Sequence, residues 1–329
     1  MIAIHASHLA AAGHQVTIKT NHVNTVFSLD PNVRIVPMHF SGKAGTLLSA
    51  LFERSEADFI IADIIPLAFL LCLFNPRRTI YFAQDYDESY YSNCFKKLFV
   101  RFLYLLSLTL IRIRSIAVSQ PLAELLRSQF GAQVTVVENG VDASQFYPDP
   151  DPGLLAIKME RKALLLFSRS DYRKGFDIAV QAVERLQSKQ TIPCEIWTVG
   201  EPAPGLFPNW IHRDFGYVGE ERLRQIMSSA DIFLYPTRHE GFGLMPLEAM
   251  ACGCVVVTTT AIPYAVHGDN AFVAQIEDSE ALTGYITDLL DDENMRRQLI
   301  DSGAKLATKH KLSDATQQFE MALVGMLKI

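Results

Sequence analysis

The chain has 329 residues, of which 49% are hydrophobic and 20% are charged, and its formal net charge is −6. At this length we expect two domains of about 150 residues each, with enough apolar residues for two cores. The acidic balance excludes a general nucleic-acid-binding protein, because such a protein needs a basic surface to displace the counterions of phosphates.

The five cysteines are scattered and form no C-x-x-C pair, so the sequence predicts neither a disulfide framework nor a zinc site. Reduced thiols of this kind are typical of cytoplasmic proteins. The first residues also lack the charged and apolar regions of a secretory signal. We therefore expect a cytoplasmic protein.

Short apolar strands alternate with helical patterns along the whole chain. Strands rich in Val and Ile are predicted at residues 16–20, 33–37, 59–63, 79–83, 115–119, 134–138, 163–168, 195–199, 231–235, 254–259 and 271–274. Strands with few polar residues are typical of parallel sheets covered on both faces. The alternation predicts an α/β fold with two doubly wound, Rossmann-like domains that face a central cleft, where the carboxyl ends of strands bind ligands.

The segment YPDPDPG at residues 147–153 divides the two halves. Three prolines and a glycine in seven residues cannot continue a helix or a central strand, so this segment is predicted to be the linker. The predicted domains are therefore 1–150 and 151–329. The last predicted helix, at 313–328, either belongs to the second domain or packs back onto the first.

The chain opens with a predicted helix at residues 1–12, which ends at Gly13 in the position of a C-cap. A doubly wound domain normally opens instead with an apolar strand and a glycine-rich turn. We therefore expect the first strand of the N-terminal domain, with its loop, to be missing.

Two apolar stretches, 64–74 and 98–111, are too short to span a bilayer and are predicted to be buried helices. An alternative stays open for the segment 94–115. It contains no acidic residue, and its cations are Lys96, Lys97, Arg101, Arg112 and Arg114. Such a mixture of basic and apolar residues suits peripheral contact with an anionic bilayer surface, at the inner face of the membrane.

The string EGFGLMPLE, residues 240–248, follows a predicted strand and opens a helix at about Leu244. The N–H groups of a helix N-terminus favour an anionic diphosphate, and Gly241 and Gly243 let the backbone approach it closely. Glu248 can accept hydrogen bonds from the ribose hydroxyls of a nucleotide. Glu240 lies in the turn, nearer to where a sugar joined to the diphosphate would lie. The alternative is that the glycines only make a tight turn and that Glu248 is a solvated helix residue.

A second string, FSRSDYRKG, places Arg169 at the end of a predicted strand and Lys174 at the start of a helix. Arg binds phosphate oxygens in a fork and Lys adds a compact charge. Together they would stabilise the negative charge that grows on a departing nucleotide diphosphate. The alternative is a pair of ordinary surface cations.

These strings resemble glycosyltransferase family 4, a large family of retaining enzymes with the GT-B fold. The family's two glutamates with seven intervening residues match Glu240 and Glu248, and its R-x4-K element matches Arg169 and Lys174. The string NGVD at residues 139–142 is a further family-like feature. The resemblance covers essentially the whole chain.

The resemblance implies a donor-binding second domain and an acceptor-binding first domain. Glu240, Arg169 and Lys174 would be catalytic: Glu240 would contact the donor sugar, and the two cations would hold the diphosphate. The implied donor-binding residues are Glu248 at the ribose, Gly200, Gly241, Phe242, Gly243 and Leu244 around the phosphates, and Tyr217 and Val218 near the nucleobase. No cofactor and no metal are expected, because Arg and Lys replace the cation.

The sequence departs from the family pattern on the acceptor side. Gln84 stands where many members have a histidine beside the reacting sugar, although its amide could still donate a hydrogen bond to a hydroxyl. Asp85 could orient the acceptor, and Tyr86 could stack on a sugar ring. A simple turn, with aromatic packing, is the alternative. Tyr264 is a further departure, since many relatives have glutamate there.

The preferred hypothesis is a retaining glycosyltransferase that moves a sugar from a nucleotide-diphosphate donor to a glycan or lipid-linked acceptor, in surface polysaccharide biosynthesis. One alternative is a sugar-nucleotide-binding protein without turnover, impaired by the missing first strand. The other is a nucleotide-sugar epimerase, which would need no acceptor.

Overall fold

A computed structural model of the protein describes residues 1–21, 29–187 and 193–327. The strands are β1 (Thr17–Thr20), β2 (Arg34–Pro37), β3 (Ile60–Ala62), β4 (Thr79–Ala83), β5 (Arg114–Ala117), β6 (Val134–Val136), β7 (Lys162–Ser168), β8 (Cys194–Gly200), β9 (His212–Asp214), β10 (Ile232–Tyr235), β11 (Val255–Thr259) and β12 (Phe272–Ala274). Every predicted strand is confirmed, with ends that differ by no more than two residues.

The α-helices are α1 (Ile2–Ala11), α2 (Gly42–Leu51), α3 (Ile65–Cys72), α4 (Cys94–Tyr104), α5 (Gln120–Phe130), α6 (Pro152–Lys158), α7 (Phe176–Leu186), α8 (Glu220–Ser229), α9 (Leu244–Ala251), α10 (Ser279–Asp291), α11 (Glu293–Lys309) and α12 (Leu312–Leu327). A π-helix at Leu105–Leu110 continues α4, and 3₁₀ turns lie at Asp87–Tyr90 and Tyr172–Lys174. Residue 328, the predicted end of the last helix, lies outside the described residues.

The chain divides into two units: Met1–Asn139 with Ser313–Ile329, called unit 1, and Gly140–Leu312, called unit 2. The division precedes the predicted linker. The reason is that the backbone amides of Asp149 and Asp151 donate hydrogen bonds, each of 2.9 Å, to the hydroxyls of Ser228 and Ser229 in unit 2. Pro152 then begins α6, at a position where its missing N–H costs no helical hydrogen bond.

Unit 1 holds two separate parallel sheets among its described residues, where a single doubly wound sheet was predicted. β1 pairs with β2, and β3 to β6 form a four-stranded sheet in chain order. Side chains of β1 alternate between exposed and half-buried, whereas every side chain of β4 is buried. Only the four-stranded sheet therefore contains strands covered on both faces.

Unit 2 is built on a parallel sheet with the strand order β12-β11-β10-β7-β8-β9. Its core includes Leu164 and Leu166 of β7 and Leu234 of β10, all fully buried. The chain builds one half of the sheet outward from β7 and the other half outward from β10. The carboxyl ends of these two adjacent strands form the switch point at which open α/β sheets bind ligands.

The two apolar stretches differ in burial. The first forms α3, with Ile65, Ala68 and Leu71 buried as predicted. The second, within α4 and the π-helix, leaves Leu98 and Leu110 mostly exposed, so the prediction of a buried helix is wrong there. No helix in the described parts of the chain is long and apolar enough to cross a membrane.

Candidate active site

The loops that follow β7 and β10 are joined by hydrogen bonds at the switch point. The carbonyl oxygen of Arg173 accepts from the Thr237 hydroxyl at 2.8 Å and from the Arg238 N–H at 2.7 Å. Gly175 has a φ of +67°, and a Cβ there would lie 1.9 Å from the carbonyl oxygen of Pro236. Only glycine therefore lets the two loops approach this closely.

Lys174 and Glu240 meet between these loops. The Lys174 ammonium lies 2.6 Å from Oε1 of Glu240, and the two side chains are only 21% and 11% exposed. The Tyr235 hydroxyl, at the end of β10, donates to the same oxygen at 2.7 Å. Burial, and then the Glu240 charge, raise the pKa of Tyr235, so it stays a neutral donor. Two of the predicted catalytic residues, 66 positions apart in the chain, are thus in direct contact.

Arg169, the third predicted catalytic residue, follows β7 directly and is half exposed. Its Nε lies 3.9 Å from a carboxylate oxygen of Glu201. The backbone and hydroxyl of Ser170 donate to the same carboxylate at 2.8 and 3.1 Å. Arg169 and Glu201 line an open pocket of about 520 Å³, which extends to Leu206. Within the described residues, no hydrogen bond joins Arg169 to Lys174.

Glu201 was not predicted from the sequence as a site residue, although it immediately follows Gly200 at the end of a predicted strand. Gly200 has a φ of +119°, and a Cβ there would lie 2.4 Å from the carbonyl oxygen of Ser168. The glycine therefore permits β8 to end against β7. Its position at this edge is the signal that could have pointed to Glu201, because the ends of parallel strands share one edge.

The turn before α9 presents its backbone rather than its side chains. Gly243 is the N-cap of α9, with a φ of +88°. The Phe242 ring is buried against Tyr264, with 5.1 Å between ring centroids, and the Tyr264 hydroxyl donates to the Gly243 carbonyl. The predicted phosphate cradle at Gly241–Leu244 could therefore contact a ligand through its N–H groups, which a helix N-terminus leaves unpaired. Tyr264, the residue that stands where many relatives have glutamate, thus stabilises this turn through its hydroxyl group.

Glu248 lies on the second turn of α9 and is half-buried. Burial, and then the charge of Glu220, raise its pKa to about 7. Within the described residues, no donor is hydrogen-bonded to its carboxyl group. A carboxyl group in this state has acceptor positions available for ligand hydroxyls.

The predicted nucleobase residues precede α8, which packs against α9. Tyr217 is 71% exposed and Val218 is half-buried. Glu220 in the first turn of α8 is close enough to raise the pKa of Glu248. The structure therefore brings this segment to the same side of unit 2 as Glu248.

The predicted acceptor-side residues follow β4 in unit 1. Gln84 is half-buried, and Asp85 accepts a 2.8 Å hydrogen bond from the Tyr86 N–H. The Tyr86 hydroxyl donates to Glu88 at 2.6 Å, and its ring lies 5.2 Å from that of Tyr104. Tyr86 is therefore packed on one side, as in the alternative interpretation of this turn.

No group of three or more metal-ligating side chains is placed to hold an ion within residues 1–21, 29–187 and 193–327.

Two family models match the chain. The one described as Glycosyltransferase Family 4 matches residues 2–145, and the one described as Glycosyl transferases group 1 matches residues 161–292. Together they match well over half of the chain.

Curated relatives match parts of the chain. The O-antigen chain mannosyltransferase B of Escherichia coli is 37% identical over 116 residues, which are 35% of this chain and 30% of that protein. The lipopolysaccharide core biosynthesis mannosyltransferase LpcC of Rhizobium leguminosarum bv. viciae is 31% identical over 175 residues, 48% of this chain and 50% of that protein. The matched region thus spans between about a third and a half of these relatives.

Solved structures share the fold. The sucrose-phosphate synthase of Thermosynechococcus elongatus is 18% identical, with a TM-score of 0.80 over 98% of this chain and 92% of that chain. This likeness confirms the predicted GT-B fold class. The two family models show that the chain belongs to glycosyltransferase family 4.

Proposed function

We propose that the protein is a retaining, metal-independent glycosyltransferase that uses a nucleotide-diphosphate sugar as donor. The observation that carries the proposal is the contact between Lys174 and Glu240 at the switch point of unit 2. Glu240 lies three residues before the N-cap of α9. A cation, a carboxylate and a helix N-terminus are the groups needed to hold a diphosphate and its sugar together.

Each group has a distinct task in the proposed reaction. Lys174 and Arg169 hold the diphosphate and stabilise the charge that develops on it, in place of a metal ion. Glu240 keeps the Lys174 ammonium in position and contacts the donor sugar. Glu248 accepts hydrogen bonds from the ribose hydroxyls.

In the transfer step, the bond between the anomeric carbon and the phosphate oxygen breaks, and the acceptor oxygen bonds to the same face of that carbon. The acceptor proton passes to the departing phosphate oxygen, so the products are the glycoside and the nucleoside diphosphate. No protein base is required. Gln84, Asp85 and Tyr86 are proposed to contact the acceptor.

The acceptor is proposed to be a glycan or a lipid-linked glycan in surface polysaccharide assembly. The support is the likeness to mannosyltransferases whose names place them in O-antigen and lipopolysaccharide core synthesis.

The test compares Lys174→Ala and Glu248→Ala with Lys305→Ala, a control at an exposed lysine on α11. Loss of one preorganised charge should lower kcat by about 10²-fold or more in the first variant, and loss of the ribose contact should weaken nucleotide binding in the second. Transfer from uridine and guanosine diphosphate sugars is assayed with and without EDTA, and calorimetry measures binding of the free diphosphates.

Unchanged turnover in Lys174→Ala, or unchanged binding of the diphosphates in Glu248→Ala, would contradict the assigned roles, and inhibition by EDTA would contradict metal independence. Nucleotide binding without transfer or hydrolysis would favour the binding protein instead. Conversion of the free sugar nucleotide without an acceptor would favour an epimerase.

A further inference from the structure

Helix α4 turns an apolar face towards solvent. On this face Phe95, Leu98, Phe99 and Phe102 are exposed to 83, 65, 59 and 52%, and Leu105, the first residue of the π-helix, extends the face with 42% exposure. They follow the spacing of three and four residues that places side chains on one side of a helix. The opposite side of α4 is the one packed into unit 1, through Val100, Leu103 and Tyr104.

Cations flank the apolar face of α4. Lys96 and Arg101 are exposed, Lys97 is half-buried, and Arg112 is exposed beyond the π-helix. No acidic residue occurs between residues 94 and 115, in a chain whose net charge is −6. The surroundings of the apolar face are therefore locally basic in a chain that is acidic overall.

We propose that the apolar face of α4 docks on the surface of a bilayer that contains anionic lipids. With 11 residues α4 is too short to span, so it would lie in the plane of the interface. There its aromatic and leucine side chains enter the boundary of the acyl chains, and the flanking cations meet anionic headgroups.

Charge also distinguishes this occupant from a second copy of the chain. A twofold contact through the same face would bring the same patch of each copy together. Lys96, Lys97 and Arg101 of one copy would then face the same cations of the other, and like charges across an interface weaken it. An anionic lipid surface complements both the apolar and the basic parts of the helix.

The test is flotation of the whole protein with vesicles of phosphatidylcholine alone and of equal parts phosphatidylcholine and phosphatidylglycerol. We expect binding to the anionic vesicles, weakened by added salt. Lys96→Gln with Arg101→Gln should lower the affinity by about fivefold for each cation removed. Phe95→Ser with Phe99→Ser should lower it by at least about tenfold, because both rings leave the acyl boundary.

The matched control is Met321→Ser with Leu327→Ser, which removes two apolar side chains that are 65% and 55% exposed on α12. This control should bind as the unaltered protein does, and thermal unfolding should show that all variants fold. Equal binding to both kinds of vesicle would overturn the proposal, as would an equal loss in the control. A dimer in light scattering that Phe95→Ser with Phe99→Ser dissociates would also overturn it. None of these measurements depends on transferase activity.

Discussion

The end of β4 in unit 1 and the ends of β7 and β10 in unit 2 use charge in opposite ways. In unit 2, Lys174 and Glu240 neutralise each other and keep some exposure. In unit 1, Asp87 is 2% exposed, accepts from the Ile65 N–H and from the Tyr81 hydroxyl, and meets no cation among the described residues.

The difference separates two uses of a polar loop. An ion pair at a partly exposed edge can exchange one of its partners for a ligand. A buried carboxyl group without a cation favours its neutral form, and its hydrogen bonds then fix the shape of the loop. The edge in unit 2 therefore presents an ion pair, whereas the Asp87 carboxyl group ties the turn after β4 to the Ile65 N–H and to the Tyr81 hydroxyl.

The largest effect should come from Asp87→Asn. Burial raises the pKa of Asp87 to about 7 in the folded chain, against 3.8 in the unfolded one. Between these values only the unfolded state releases its proton, so this group makes stability fall as the pH rises from 4 to 7. The fall is up to about 4 kcal/mol. The variant should lose this slope.

Urea unfolding followed by circular dichroism across this pH range would measure the slope for Asp87→Asn. Asp58→Asn, at an exposed position before β3, is the control and should keep the slope. If the unfolding free energy of Asp87→Asn falls with pH as steeply as that of the unaltered protein, Asp87 is not a neutral buried group and does not differ from the charged edge in unit 2 in this way.

A somewhat smaller effect is expected for Gly175→Ala in unit 2. The positive φ and the clash with the Pro236 carbonyl together should cost about 3 kcal/mol. Gly205→Ala is the control, since its φ is +72° but nothing lies within 4 Å of the added carbon, and it should cost only about 1 kcal/mol. Urea unfolding followed by the fluorescence of the buried Trp197 reports on this unit. If both variants lose the same free energy of unfolding, the close approach of the two loops at Gly175 does not contribute to the stability of unit 2.

The smallest effect tests the support of the α9 N-cap. Tyr264→Phe removes the hydroxyl that donates to the Gly243 carbonyl, which should cost about 1 kcal/mol. Tyr172→Phe removes a hydroxyl that donates to Glu277 at an exposed site and should cost less than about 0.5 kcal/mol. If Tyr264→Phe lowers the free energy of unfolding no more than Tyr172→Phe does in the same assay, the turn before α9 does not depend on the Tyr264 hydrogen bond.

The positions of the strands could be predicted because each predicted strand is a short run of apolar residues between helical patterns. β9 was missed because its three residues, His212–Asp214, are all polar. The predicted boundary between residues 150 and 151 differs from the observed division between Asn139 and Gly140. Prolines indicate where a helix or strand ends, but they do not indicate which unit the following residues pack against. Asp149 and Asp151 are held to unit 2 by hydrogen bonds to Ser228 and Ser229, which lie far away in the sequence and so cannot be predicted from the local pattern.

The edge that carries the candidate site was also predictable, since strand ends can be read from the sequence. The partners were not. The sequence placed Lys174 and Arg169 on one ligand, but it could not show that Lys174 pairs with Glu240 and that Arg169 lies beside Glu201. Such pairings depend on loop shape, which glycines of positive φ such as Gly175 decide.

The Lys174–Glu240 pair has a consequence for which anions the empty protein attracts. Because the lysine charge is already cancelled, chloride or free phosphate finds little excess potential at this point. A larger ligand can still compete, provided that it offers several hydrogen-bonding groups at once and spreads the cost of separating the pair over all of them. We therefore expect the empty protein to bind small anions only weakly at Lys174.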